Sequence, residues 1–248
     1  MTGQLTWLGH STVVLELGST RLLTDPLLFP NAVGLRRRGP APQPEAWAGA
    51  AATLISHLHQ DHAELRSVRK TGAPVLTGAR NAAYFERRGV SATGLDEDHW
   101  YSIAGTPVQV RLTRAVHGHR PMPHRPNQAH GHLIRAGGVT VWVAGDTSLY
   151  PELESLSDLV GGIDVAVVPV GGWGPRLSGG HLGPADAARA CHLVGASVAV
   201  PYHWGTLHAP GMAGTWMDAA GPQFVTELER HVPRCRPALL SPGGQLTL

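Results

Sequence analysis

The sequence predicts a layered α/β protein, and three observations carry that prediction. Short β-branched or leucine-rich runs alternate with alanine-rich, helix-favouring stretches through both halves of the chain. Its 31 glycines and 20 prolines fall between those runs, as turns joining many strands require. With 248 residues and 42% hydrophobic content the chain can build a sizeable core, which reads as a single domain over 1–248.

The chain opens with sheet: residues 5–8, 12–17 and 21–24, punctuated by Gly9, Gly18 and Ser19, have the pattern of a strand meander. The proline- and glycine-rich stretch 26–49 reads as a long irregular loop, a length that in a compact domain marks a lid or binding loop. The apolar run 51–55 is too short for a helix and suits a buried strand. Helices are expected at 63–70, 79–88, 149–159, 184–194 and 222–231, where alanine and straight-chain residues outnumber β-branched ones. Pro184 and Pro222 suit first-turn positions. Further strands are expected at 75–77, 108–113, 132–136, 139–143, 165–168, 198–200 and 239–241.

Charge excludes some partners. Twenty basic and 18 acidic residues leave a net charge of +2, too weak a field to recruit nucleic acid. Lys70 is the single lysine, and the arginines that make up the remainder suit small anionic substrates. The run Arg36-Arg37-Arg38 reads as a solvated loop. Cys191 and Cys235 are too few for a disulfide scaffold and lie in no C-x-x-C spacing, so a reducing compartment is expected. No signal-like segment or run of 18 apolar residues is seen, which makes a cytoplasmic protein without a membrane segment the expectation.

Directly after the run 51–55 stands Ser56-His57-Leu58-His59-Gln60-Asp61-His62, three imidazoles and a carboxylate within six residues. With 15 histidines in the chain, this pattern arises by chance with a probability on the order of 10⁻³. On extended backbone His57 and His59 project to the same side and can share one cation, while Asp61 and His62, where the chain turns, can face a second. Two metal sites need more ligands than one loop carries, and later strands supply them. His117 follows 108–113, Asp146 follows 139–143 and His203 follows 198–200, each just beyond the end of an apolar strand, where α/β sheets place their ligands. The region after 113 is rich in imidazole, with His117, His119, His124, His130 and His132, so the residues alone leave His117 and His119 both open. Asp25, after a short strand, can accept the N–H of a ligating imidazole, and His10 is a weaker candidate for a similar place. His99, His192, His208 and His231 have no partner at ligand spacing and read as ordinary histidines. Gly171-Gly172-Trp173-Gly174 reads as a loop lining the site.

This residue order resembles the metallo-β-lactamase superfamily over nearly the whole chain. Trp7-Leu8-Gly9-His10-Ser11, Leu23-Thr24-Asp25-Pro26, Gly145-Asp146-Thr147 and His203-Trp204-Gly205-Thr206 look like its branch of ascorbate-6-phosphate lactonases and N-acylphosphatidylethanolamine phospholipase D enzymes. The resemblance implies a four-layer αββα sandwich. It implies that His57, His59 and His117 hold one metal, Asp61, His62 and His203 the other, and that Asp146 bridges them. It selects His117 over His119, leaving His119 and Arg120 as substrate contacts, and it puts His181 near the site as a proton donor or substrate-binding group. Relatives often carry an acidic residue directly after the proline that follows; here Ala185 stands there and Asp186 comes next.

Two divalent cations, zinc first and manganese or iron next, lower the pKa of a shared water enough to supply hydroxide near neutral pH. Asp61 can accept its proton or orient it, and the metals can stabilise the charge that develops. The expected activity is hydrolysis of an ester, lactone or phosphodiester bond in a small soluble substrate. Two alternatives are a metal-dependent nuclease, disfavoured by the weak charge, and a metal-stabilised binding or regulatory protein, which would close its coordination shell.

Overall fold

The structure, a computed structural model, describes residues 3–118 and 128–248. Strands β1 (Gly3–Gly9), β2 (Thr12–Leu17) and β3 (Thr20–Thr24) form the predicted meander. The stretch 26–49 is less irregular than expected: it holds two short strands, β4 (Asn31–Ala32) and β5 (Leu35–Arg37). Then come β6 (Ala52–Leu54), α1 (Leu65–Thr71), β7 (Val75–Gly78), α2 (Ala79–Glu86) and β8 (Ala92–Leu95). The second half runs β9 (Tyr101–Ser102), β10 (Gln109–Arg114), β11 (His130–Ala136), β12 (Val139–Val143), α3 (Ser155–Val160), β13 (Ile163–Pro169) and α4 (Pro184–Leu193). It ends with β14 (Ala196–Tyr202), β15 (Leu207–His208), α5 (Ala220–His231), β16 (Arg236–Pro237) and β17 (Gln245–Thr247).

Two seven-stranded mixed sheets result, ordered β17-β1-β2-β3-β6-β7-β8 and β16-β14-β13-β12-β11-β10-β9, while β15, β5 and β4 make a small third sheet. The main core lies between the large sheets, and β13 shows why its sequence suits both faces. Val165 and Val167 enter the core between the sheets, while Ala166 and Val168 alternate to the other face against α4 and α5. Ala187, Ala188 and Ala190 on α4 are small and fully buried, so the helix lies close on the sheet. On the outer face of the first sheet, Val68 of α1 and Tyr84 and Phe85 of α2 pack over Ile55 and Val75. Helices thus cover both outer faces, the layering of an αββα sandwich.

Three expectations are corrected. Residues 239–241 form no strand: Pro237 and Pro242 flank them without backbone donors, and the sheets are completed instead by β16 and β17. The helix expected at 149–159 divides into a 3-10 turn, Pro151–Glu154, and the short α3, since Pro151 fits only a first-turn position. Within Arg36-Arg37-Arg38 only the outer two are exposed. Arg37 is buried and donates to the carbonyls of Leu8 (3.0 Å) and Leu27 (2.6 Å), pinning β5 against the turn that follows β1. Burial draws its guanidinium down to about 10, still charged at neutral pH. No helix among the described residues is long and apolar enough to cross a membrane.

Candidate metal centre

Strands β1, β3 and β6 of one sheet and β10, β12 and β14 of the other point the same way, and each is followed at its end by a residue of the site. His10 follows β1, Asp25 β3, His57 through His62 β6, His117 β10, Asp146 β12 and His203 β14. The turns are tight: His10, Asp25 and His203 all adopt left-handed backbone, with φ of 49°, 34° and 65°. Gly145 before Asp146 is also left-handed, and a Cβ there would lie 2.6 Å from the His130 carbonyl oxygen, so only glycine fits. The two sheets are tied at this edge, where the His203 N–H donates to the His10 carbonyl (2.9 Å) and Trp7 stacks on Trp204 at 5.7 Å.

Asp146 is the meeting point. Its Oδ2 lies 3.2 Å from both His62 Nε2 and His181 Nε2 and 3.9 Å from His57 Nε2, and its Oδ1 lies 3.5 Å from His203 Nε2. To one side His59 Nδ1 and His117 Nε2 approach to 3.0 Å with the His57 ring beside them. To the other, His62 Nε2 and His203 Nε2 stand 2.9 Å apart, and Asp61 Oδ2 is 3.1 Å from His10 Nε2 and 3.8 Å from His203 Nε2.

Partners at the far side of each ring decide which nitrogen is bare. His203 Nδ1 donates to the Gly171 carbonyl (3.0 Å), His117 Nδ1 to the Gly180 carbonyl (2.7 Å), and His62 Nδ1 faces the Asp25 carboxylate at 2.8 Å. Their Nε2 lone pairs therefore converge, an approach that is favourable only with a proton or a cation between them. His57 Nε2 and Asp146 Oδ1 are buried without hydrogen-bond partners among the described residues. Four groups of donor atoms, His10/Asp61/His62/His203, His57/His59/His117, His57/His62/Asp146 and His117/Asp146/His181, each lie within 4.8 Å of one another. These residues fit metal ions: the donors are of the right kind, converge in overlapping groups, and leave buried polar atoms that a cation would satisfy.

The electrostatics agree with that fit. Burial, aided by neighbouring His62, holds His57 well below the usual imidazole value; burial and His117 draw His59 down to about 4, and burial also lowers His117 and His203. These imidazoles are neutral, the form that binds metals. Burial opposes ionisation of Asp61 and Asp146, yet the surrounding histidines outweigh it and hold both carboxyls well below their usual range. His62 is the exception: burial pulls it down, but Asp146 and Asp25 together raise it well above the ordinary value.

All seven residues read from the sequence as ligands, His57, His59, Asp61, His62, His117, Asp146 and His203, meet here, as do His181, Asp25 and the weaker candidate His10. His119, Arg120 and His124 lie outside the described residues. His130 and His132 stay on β11, apart from the cluster. Of the loop expected to line the site, Gly172, Trp173 and Gly174 line a cavity that opens over Asp61, Asp146 and His181. Sequence reasoning missed Ser56, whose hydroxyl lies 2.6 Å from Asp25 Oδ2 and 3.0 Å from His57 Nδ1, and Arg176 at the cavity rim. Neither carries a ligand-like signal; only its place beside His57 could have drawn attention to Ser56.

A family model described as a beta-lactamase superfamily domain matches residues 20–204. A UPF0173 metal-dependent hydrolase of Symbiobacterium thermophilum is 31% identical, the alignment covering 99% of this chain and 100% of that one. Among solved structures, Igni18, a metallo hydrolase from Ignicoccus hospitalis, matches with a TM-score of 0.78 at 21% identity, over 100% of this chain and 99% of its own. CmlA, a diiron β-hydroxylase from Streptomyces venezuelae, matches with a TM-score of 0.72 at 16% identity, over 99% of this chain and 54% of CmlA. A hydrolase and a hydroxylase share this architecture, so the fold alone does not name the reaction.

Proposed function

The chain belongs to the metallo-β-lactamase superfamily, as a metal-dependent hydrolase of the UPF0173 family, and from that premise we propose a binuclear enzyme that cleaves an ester, lactone or phosphodiester bond of a small substrate. The observation that carries the reading is Asp146, whose two oxygens face histidines from both sides of the cluster. In this reading His57, His59 and His117 hold one ion, Asp61, His62 and His203 the other, and Asp146 both. Zinc suits the donor set first, manganese or iron next. Bound there, the ions would supply Lewis acidity and an acidified water as nucleophile.

The remaining steps belong to the chain's own groups. Asp61, which lines the cavity and is held by His10, would orient such a water or accept its proton. His181 gives a proton to the leaving group. It reaches into the cavity, and although burial pulls its imidazole down, the Asp146 hydrogen bond and charge bring it above the usual value. The Ser178 carbonyl, 3.0 Å from His181 Nδ1, fixes the ring. Asp25 keeps His62 oriented through the 2.8 Å contact, with Ser56 bridging to His57. The four motifs that look like the lactonase and phospholipase D branch favour lactones and phosphodiesters among the possible substrates.

The test is elemental mass spectrometry of the purified protein alongside hydrolysis of bis(p-nitrophenyl) phosphate and a panel of lactones, before and after chelation. About two metals per chain with chelator-sensitive turnover is the expected result. No metal and no turnover after reconstitution would overturn it.

A further inference from the structure

We propose that this site takes an amphiphilic anion, with Arg176 receiving the anionic group and Trp173, Leu177 and Val33 receiving an apolar body; the inference rests on the hydrolase reading above and adds the substrate's chemistry to it. The cavity over Asp61, Asp146 and His181 has a volume of about 650 Å³, within the range of small-molecule sites. Its floor is polar. Its rim is not: of the six large apolar side chains exposed among the described residues, Val33 (58%), Trp173 (44%) and Leu177 (41%) stand together around this one opening. Exposed apolar groups scattered singly need no explanation, whereas three at the mouth of a site form a surface that a ligand would cover.

Arg176 stands among them and forms no ion pair or hydrogen bond among the described residues. Surface arginines without a carboxylate partner among the described residues occur elsewhere, Arg36, Arg189 and Arg230 among them, but of the described arginines Arg176 alone lines this cavity. Residues 1–2 and 119–127 contain no acidic side chain that could serve as a counter-charge. The two carboxylates of the cavity floor, Asp61 and Asp146, are engaged by histidines. A planar guanidinium left without a counter-charge, lining the same cavity as an indole, suits a carboxylate or phosphate attached to an apolar or aromatic body. The scissile bond would then lie between that body and the metal-facing floor.

A matched set of chromogenic esters tests this: mono-4-nitrophenyl suberate, whose carboxylate is too far along the chain to expel the phenolate by closing a small cyclic anhydride, its methyl-capped neutral counterpart, and the analogue with a phosphonate in place of the free carboxylate. Each is measured with metal-loaded wild type, Arg176→Gln, Arg176→Lys and, as a control on α4, Arg189→Gln. Because exposed ion pairs are weak, wild type is expected to favour either anion over the capped ester by about fivefold in kcat/KM, expressed mainly in KM. Arg176→Gln should bring that ratio to about one, Arg176→Lys should keep part of it, and Arg189→Gln should keep all of it. No anion preference in wild type, or an undiminished preference in Arg176→Gln, overturns the proposal. Chelator-sensitive turnover of the capped ester reports on the hydrolase reading separately. If none of the esters is cleaved, calorimetric titration with 4-phenylbutanoate and 4-phenylbutanamide decides: tighter binding of the acid that is lost in Arg176→Gln supports the anion site, and equal binding of the two overturns it.

Discussion

His132 and His203 are both sealed from solvent, each 1% exposed, and burial lowers the pKa of both, yet they do different things. His132 sits within β11, with its Nε2 buried and unpartnered and no carboxylate among the groups that shift it; burial, aided by His130, drives it down to about 3. His203 sits one residue beyond β14, with one nitrogen tied to the Gly171 carbonyl and the other aimed at His62, Asp61 and Asp146. Burial alone makes an imidazole neutral. A metal-binding group also needs a strand end, where several chains of the sheet deliver donors to the same point, and ionised carboxylates to make that point attractive to a cation.

The contrast can be broken most severely at Asp146. Asp146→Asn keeps the shape but removes the charge that both sides share, and is expected to cost about 10³-fold in chelator-sensitive turnover, with metal content falling on both sides. Asp25→Asn leaves every donor in place and weakens the support behind His62 and, through Ser56, behind His57, so metal affinity should drop about 10- to 100-fold, seen in competition with a chromogenic chelator. His59→Ala removes a donor from one side only and should lower metal content from about two ions per chain to about one, leaving the Asp61, His62 and His203 side loaded.

The smallest effect is expected at His132, on stability instead of metal content. Its folded pKa of about 3 lies below the ordinary 6.5, so the native state keeps it neutral while the unfolded chain takes up a proton. Its contribution is therefore intact above pH 6.5 and is lost as pH falls from 6.5 toward 3, at up to about 1.4 kcal/mol per pH unit. Denaturant melts between pH 7 and 5 should show a shallower acid slope for His132→Leu than for wild type, at unchanged metal content; equal slopes would show that His132 does not carry that share.

Much of the site was legible in the sequence because metal ligation demands residue types at spacings that packing does not. The cluster from His57 to His62 stands out for that reason, and Asp146 and His203 follow from their places just past apolar runs. His10 was harder to weigh, since its role depends on the turn it shares with His203, a contact across 193 residues. Arg37 was misjudged because an arginine in a loop is ordinarily solvated, and nothing local shows that two carbonyls wait for it. In the fold, long periodic runs such as 12–17 and 139–143 were read at their observed bounds. The edge strands β8 and β17, of four and three residues, were not read, because so few side chains show no period and each exists by pairing with its neighbour in the sheet.

Strand β17 has a kinetic consequence. Its pairing with β1 sets Gln4 beside Thr247, and the Gln4 and Gln245 side chains bond across a separation of 241 residues. Closing so long a loop costs little more equilibrium free energy than closing one half its length, about 0.6 kcal/mol, but long-range pairings slow the search for the native topology. Because β1 ends in the turn that carries His10, this edge is suited to be among the last parts to assemble. During refolding, helical signal should return before the capacity to bind metal, and the lag between them would time the zipping of that edge.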